Sequence, residues 1–312
     1  AAGAIGGARE PCSGGGGGGP LRSAGRWLAF LVSLDQRHDR RRRVAHLLGG
    51  SRWLAERISV VSAVDGRRLA VHRLVPELLS SAHSDPSQRD RPRFEELEGA
   101  GLVWNHDWLH MTPGAAGCAL SHRAVWERVA EEASRDPSLA WALVLEDDLL
   151  WVADDLAERL EGVLAGLEEG WDVCYVGWHG QAVLHLAAGD PPPSRCSSRP
   201  EPAPEHWPGR REPLGTFAYL VSAAGARKLL EDGVVFPLDY QLDAQLNQVY
   251  ASGRVRAYRC LDERCLFFSA PCQFLDSDVQ ACWSADHSPA FRPLKEALRR
   301  RLRELDSACA EE

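Results

Sequence analysis

The chain has 312 residues, 45% of them hydrophobic and 26% charged, with 36 Lys and Arg against 44 Asp and Glu. This composition excludes a disordered or fibrous chain, and the net charge of -8 argues against a nucleic-acid partner held by a broad basic surface. No uncharged apolar run reaches the roughly 18 residues that a transmembrane helix needs, so no span is expected.

The nine cysteines show neither a CxxC pair nor a Cys/His zinc spacing, so a zinc module is not expected. Four of them lie between Cys260 and Cys282, which allows one or two disulfides in an oxidising lumen and leaves at least one thiol free. No charged-then-apolar leader precedes Ala1, so a signal peptide has been removed or never existed, and the compartment stays open.

Residues 1–26, with the run Gly14 to Gly19, read as a flexible arm, because they hold too few large apolar residues to offset the entropy of ordering. An apolar run from Trp27 to Leu34 predicts a buried strand, and Val44, Leu47 and Leu48 share a face of the helix after it. A second strand is expected at Ile58–Val64, stopped by Asp65-Gly66, and parallel to the first. Residues 69–112 are polar and aperiodic, an excursion from the core.

From Gly117 the spacing of Leu120, Ala124, Val125, Trp126 and Val129 predicts a helix, with Ser121 as a candidate cap. A strand follows at Trp141–Leu145, then a helix carrying Leu156, Leu160, Val163 and Leu164, then a strand at Trp171–Gly177. Residues 188–214 read as a long Pro-rich loop, followed by a strand at Thr216–Ser222 and a helix at Ala223–Leu230. This alternation predicts a mostly parallel sheet flanked by helices, a single α/β domain over residues 27–290, and a basic helical tail over 291–312.

The sharpest chemical feature is Glu146-Asp147-Asp148 at the end of a buried strand, where an open α/β sheet binds its ligands. Carboxylates facing one cleft repel unless a cation separates them, and a hard divalent ion, Mn²⁺ or Mg²⁺, with a diphosphate supplying further oxygens fits that need. The alternative is an acidic loop capping the next helix. Asp239 and Asp243, four residues apart after Phe236-Pro237, are expected on one helix face, where one could act as a general base or both as helix caps. Arg40, in the basic run Arg40 to Arg43, could meet a phosphate, although such runs are often solvated helix faces. Ser121 and His122, read at a helix start, could hold an anion on backbone N–H groups; a buried, hydrogen-bonded histidine is the other reading.

Six segments then occur together in order: Ser33-Leu-Asp-Gln-Arg-His-Asp-Arg40, Ala63-Val-Asp-Gly66, Gly117-Cys-Ala-Leu-Ser-His122, Leu143-Val-Leu-Glu-Asp-Asp148, Phe217-Ala-Tyr-Leu-Val-Ser222 and Pro237-Leu-Asp239. Over roughly residues 27–280 the chain resembles glycosyltransferase family 25, which contains lipooligosaccharide and procollagen galactosyltransferases. The resemblance implies a GT-A-type fold, a UDP-sugar donor (typically UDP-galactose), a divalent cation, a glycan or protein hydroxyl acceptor, and inversion at the anomeric carbon. It places Asp35, Arg40 and Asp65 along the nucleotide with Asp147, Ser121 and His122. It further implies that Glu146 and Asp148 would hold the metal, with Asp278, from a late Ser-Asp pair, as a possible further ligand, and that Asp239, with Asp243 second, would be the base. The compartment it implies is a secretory lumen for a eukaryotic chain and the cytoplasm for a bacterial one. Two alternatives stay open: a catalytically inactive relative serving adhesion or scaffolding, and a metal phosphodiesterase.

Overall fold

The structure is a computed structural model that describes residue 21 and residues 25–69, 113–179, 200–202, 213–260, 266–269 and 292–311. The excursion at 70–112, most of the loop at 188–214 and the Ser277-Asp278 pair lie outside the described residues, as do Cys265, Cys272 and Cys282.

Strand β1 (Arg26–Ser33) pairs in parallel with β2 (Ile58–Ser62) on one side and β3 (Leu139–Glu146) on the other. Between β1 and β2 run the helices α1 (His38–Leu47) and α2 (Arg52–Ala55). A 3₁₀ turn (Gly66–Arg68) follows β2, and the long helix α3 (Pro113–Arg135) precedes β3. After β3 come β4 (Leu149–Val152), α4 (Leu156–Gly166), β5 (Val173–His179), β6 (Pro200–Pro202) and β7 (Leu214–Ser222). Then follow α5 (Ala223–Leu229), α6 (Leu242–Ala251), β8 (Ala257–Cys260), β9 (Phe267–Ser269) and α7 (Arg292–Glu311).

The main sheet has the order β2-β1-β3-β7-β5-β8-β6, and β4 pairs with β9 in a separate two-stranded sheet. Because β7 is antiparallel to both β3 and β5, and β8 is parallel to β5, five strands point one way and only β7 and β6 oppose them. The strand predicted at Thr216–Ser222 therefore exists but runs against its neighbours. An apolar run buried on both faces carries no mark of its direction. Part of the predicted Pro-rich loop is also strand: Pro200–Pro202 pairs with β8 at the sheet edge, where a missing backbone N–H is tolerated.

Alternation along β3 sends Ala142 and Val144 to one face and Trp141, Leu143 and Leu145 to the other. The first face packs on α3, α5 and α6 through Val125, Trp126, Leu229 and Leu246; the second packs on α1 and α4 through Val44, Leu156 and Leu160. The tail residues form α7, which lies on the domain: Arg43 Nε is 2.8 Å from Asp306, and Leu298 and Leu305 are buried. Leu21, within the predicted flexible arm, is buried in the second cluster and its N–H donates to Glu161 (2.9 Å). No described helix is long and apolar enough to cross a membrane.

Helix α3 comes close to the loop that follows β2. A Cβ added at Gly117 would sit 2.5 Å from the Val64 carbonyl oxygen and 2.8 Å from the Gly66 nitrogen. Gly→Ala inside a helix ordinarily stabilises by about 1 kcal/mol, but overpacking here costs roughly 1–3 kcal/mol. Gly117→Ala should therefore lower the melting temperature, and an unchanged or higher Tm would mean that the loop yields easily.

Candidate active site

The chain moves from β1 outward to β2 and then returns to place β3 on the other side of β1. That reversal opens a crevice at the carboxyl ends of β1 and β3, the usual ligand position in an open α/β sheet. Glu146-Asp147-Asp148 leaves β3 at that point, and its three carboxylates go to three different environments.

Glu146 Oε1 accepts hydrogen bonds from Thr216 Oγ1 (2.6 Å) and His122 Nε2 (3.1 Å). Burial alone would push this carboxyl up, but the His122 and Thr216 bonds outweigh it and hold the group below its ordinary value. Asp147 turns to the opposite face and pairs with Arg40 (3.0 Å), its other oxygen accepting from Ser33 Oγ (2.7 Å). Both partners of that ion pair are buried, so it ties the end of β3 to β1 and α1. Asp148 has no such ion pair: the Ser269 hydroxyl bonds its carboxyl, while its Oδ1 is buried without a hydrogen-bond partner. Burial and then the charge of Glu146 push its carboxyl up to about 7, against the opposing pull of Arg40.

His122 is fully buried in the third turn of α3, because that helix begins at Pro113 rather than near Ser121. The helix-start anion site expected at Ser121-His122 is thereby corrected: backbone N–H groups this far inside a helix already bond to carbonyls of the preceding turn. Ser121 Oγ donates to the Gly117 carbonyl (2.6 Å) and accepts from Val64 N–H (2.8 Å), which fixes the loop after β2. A carboxylate only accepts, so His122 Nε2 carries the proton offered to Glu146. On the other side of the ring, Nδ1 lies 2.9 Å from the Tyr219 hydroxyl, whose oxygen accepts from Trp126 Nε1 (2.9 Å). Trp126, Tyr219 and His122 thus form a buried chain that orients Glu146.

Asp239 and Asp243 separate. Helix α6 begins at Leu242, so Asp239 lies outside it, exposed, with its backbone N–H donating to Gln245 Oε1 (3.1 Å). Asp243, in the first turn, accepts from the Gly215 (2.8 Å) and Ala244 (2.8 Å) N–H groups. Its carboxyl is pushed up by burial, with the charge of Glu146 adding to the effect. The Cys118 thiol is raised well above its ordinary value by burial, and it feels Glu146, Asp243 and Asp148 together. Cys118 therefore marks where these three acids meet. His179, at the end of β5, belongs to the same neighbourhood; burial lowers its pKa to about 4 against the opposing charge of Glu146, and the ring stays neutral.

Beside this cluster, at the ends of β1 and β2, lies an open cleft of about 460 Å³ lined by Asp35, Gln36, Val64, Asp65 and Arg68 among others. Asp35 accepts from Ser62 Oγ (2.5 Å), and Asp65 caps the 3₁₀ turn by accepting from Arg67 N–H (3.1 Å). The structure thus gathers Glu146, Asp148 and Asp243 in one place and Asp35 with Asp65 in an adjoining one. Arg40 and Asp147 bind each other, and Asp278 lies outside the described residues. Thr216, Cys118 and His179 have no role in the sequence reading; for His179 the available signal was a polar residue closing a buried strand.

The family model described as glycosyltransferase family 25 (LPS biosynthesis protein) matches residues 28–179, the segment that holds β1 to β5 and the acidic triplet. Over this segment the chain is similar to glycosyltransferase family 25. It is 30% identical over 207 residues to the inactive glycosyltransferase 25 family member 3 of Homo sapiens, covering 64% of this chain and 28% of that protein. Against procollagen galactosyltransferase 1-A of Xenopus laevis it is 30% identical over 204 residues, covering 64% of this chain and 27% of the relative. The inactive family member 3 of Mus musculus is 32% identical over 126 residues, covering 38% of this chain and 18% of the relative. The chain spans less than a third of the length of these family 25 relatives.

Proposed function

We propose that this domain is a cation-dependent, inverting glycosyltransferase of GT-A type that moves a hexose, in the first instance galactose, from a UDP-sugar to a hydroxyl on a glycan or protein. The observation that carries this reading is the Asp148 carboxylate, buried beside Glu146 at the switch point with an oxygen that has no hydrogen-bond partner. A capping acid would bond a helix N–H, and this oxygen bonds none. Two repelling carboxylates with oxygens to offer are the donor set a hard divalent ion requires.

Glu146 and Asp148 would hold Mn²⁺ or Mg²⁺, which when bound neutralises charge on the departing diphosphate. The protein's own groups do the rest. Asp35 and Asp65 in the adjoining cleft accept hydrogen bonds from hydroxyls of the nucleoside. Arg40, held by Asp147, adds a fixed positive charge near Asp148. Asp243 takes the proton of the acceptor hydroxyl as that oxygen attacks the anomeric carbon; its raised pKa suits a base better than an ordinary exposed carboxylate does.

A second reading has one specific observation in its favour: relatives named inactive match at the same identity as those named galactosyltransferases. On that reading the domain is a scaffold or adhesion module. Thermal unfolding across a panel of nucleotide sugars, with Mn²⁺ and with EDTA, separates the two. The transfer reading predicts a Tm rise of several degrees with one UDP-sugar that is lost in EDTA, since a ligand at a hundred times its Kd stabilises by about 2.7 kcal/mol. No shift with any donor would favour the scaffold.

A further inference from the structure

We propose a second cation site, in which Cys118 Sγ, His122 Nε2 and Glu146 Oε1 hold a thiophilic divalent ion, zinc in the first instance. One ligand atom from each of these side chains lies within 4.8 Å of those from the other two, and His122 Nε2 is 3.1 Å from Glu146 Oε1. Tetrahedral zinc, with bonds of about 2.0–2.3 Å, places its ligand atoms roughly 3.3–3.8 Å apart, so small side-chain rotations close the site.

Two of the ligands come from one rigid element. Cys118 and His122 stand four residues apart on α3 and so share a face, while Glu146 approaches from the end of β3. The groups behind them are already in place. Tyr219 meets the other nitrogen of His122 (2.9 Å), and Thr216 Oγ1 donates to Glu146 (2.6 Å). Partners of this kind are what orient metal-binding imidazoles and carboxylates. His122 is fully buried while Cys118 and Glu146 are partly exposed, so an ion is reached from the crevice and closed off behind. Three protein ligands leave a fourth position for water. On binding, the Cys118 thiol releases its proton to solvent. When the ion takes Nε2, the His122 ring carries its proton on Nδ1 and donates it to the Tyr219 oxygen.

The thiolate and imidazole set the preference. Mn²⁺ and Mg²⁺ favour oxygen donors, whereas zinc and cobalt accept sulfur and nitrogen. The site stands on its ligand geometry alone. One consequence rests on the transfer reading: because Glu146 serves both ions, zinc bound here withdraws it from Asp148 and inhibits transfer.

Cobalt titration of the purified chain tests the site. The expected result is a near-ultraviolet sulfur-to-cobalt charge-transfer band that saturates at one ion per chain, is abolished by competing Zn²⁺, and is lost in Cys118→Ser. Absence of the band, or its survival in Cys118→Ser, overturns the proposal. Should that variant not fold, alkylation of the unsubstituted chain decides: zinc is expected to protect Cys118, mapped by mass spectrometry, and equal labelling with and without zinc overturns the site. None of these readouts depends on a nucleotide sugar, so a cobalt band from a chain that, free of cobalt and zinc, binds no donor with Mn²⁺ would sink the transfer reading and leave this site standing.

Discussion

Asp148→Asn is expected to abolish sugar transfer, by about 10³-fold or more, while leaving the fold intact. On the proposed function, the loss follows from removing one of two charged ligands to a cation whose stabilisation of the departing diphosphate would contribute several kcal/mol. The stability side has the opposite sign. In the unfolded chain this carboxyl ionises near its ordinary value, whereas in the fold burial and Glu146 push it up to about 7. The folded state is therefore penalised for carrying the charge. The penalty is absent below the unfolded pKa, grows as pH rises, and is fully present above pH 7. Asparagine keeps the shape and removes the charge, so at neutral pH and without metal the variant should melt at or above the temperature of the unsubstituted chain. Lost turnover with a raised Tm would identify Asp148 as a group retained at a cost in stability for binding. Retained turnover would remove the assignment, and a collapsed Tm would mean that the carboxylate serves the fold.

The second large effect concerns the base. Asp243→Asn is expected to lower kcat by about 10²- to 10⁴-fold, the usual contribution of a general base, with donor affinity unchanged. Asp239→Asn should leave kcat within a few-fold of the unsubstituted value. Burial and Glu146 raise the Asp243 carboxyl, and the Gly215 and Ala244 N–H groups hold it in place, whereas Asp239 is exposed ahead of α6. Single-turnover rates and donor-dependent thermal shifts on both variants check this. A pure loss of donor affinity in Asp243→Asn would move the residue to the donor site, and a large kcat loss in Asp239→Asn would make that acid the base.

Much of the site's frame was legible in the chain. The apolar run ending at Glu146-Asp147-Asp148 had to be a buried strand with acids at its carboxyl end, because the alternation and length of such runs reflect burial alone. The β-then-α order around Asp35 and Asp65 likewise put both acids beyond strand ends. The sequence by itself thus determined an α/β domain, the position of the acidic triplet at the carboxyl end of a buried strand, and the resemblance to family 25.

Other features depended on contacts between distant segments. Thr216 reaches Glu146 because β7 runs antiparallel to β3, which brings the start of β7 to the carboxyl end of β3; a parallel strand would have carried it to the far side. Helix α3 starts at Pro113, and this turns His122 from a helix-start anion contact into a buried orienting group. The division of labour within the triplet was also invisible locally, since Arg40 and Ser33 claim Asp147 from more than a hundred residues away and leave Asp148 without an equivalent pairing. Burial pattern is a one-dimensional property that the order of residues encodes directly. Strand direction, helix register and the choice of partner for a buried charge are decided only when segments meet, because each is set by the free energy of a contact that neither segment contains alone.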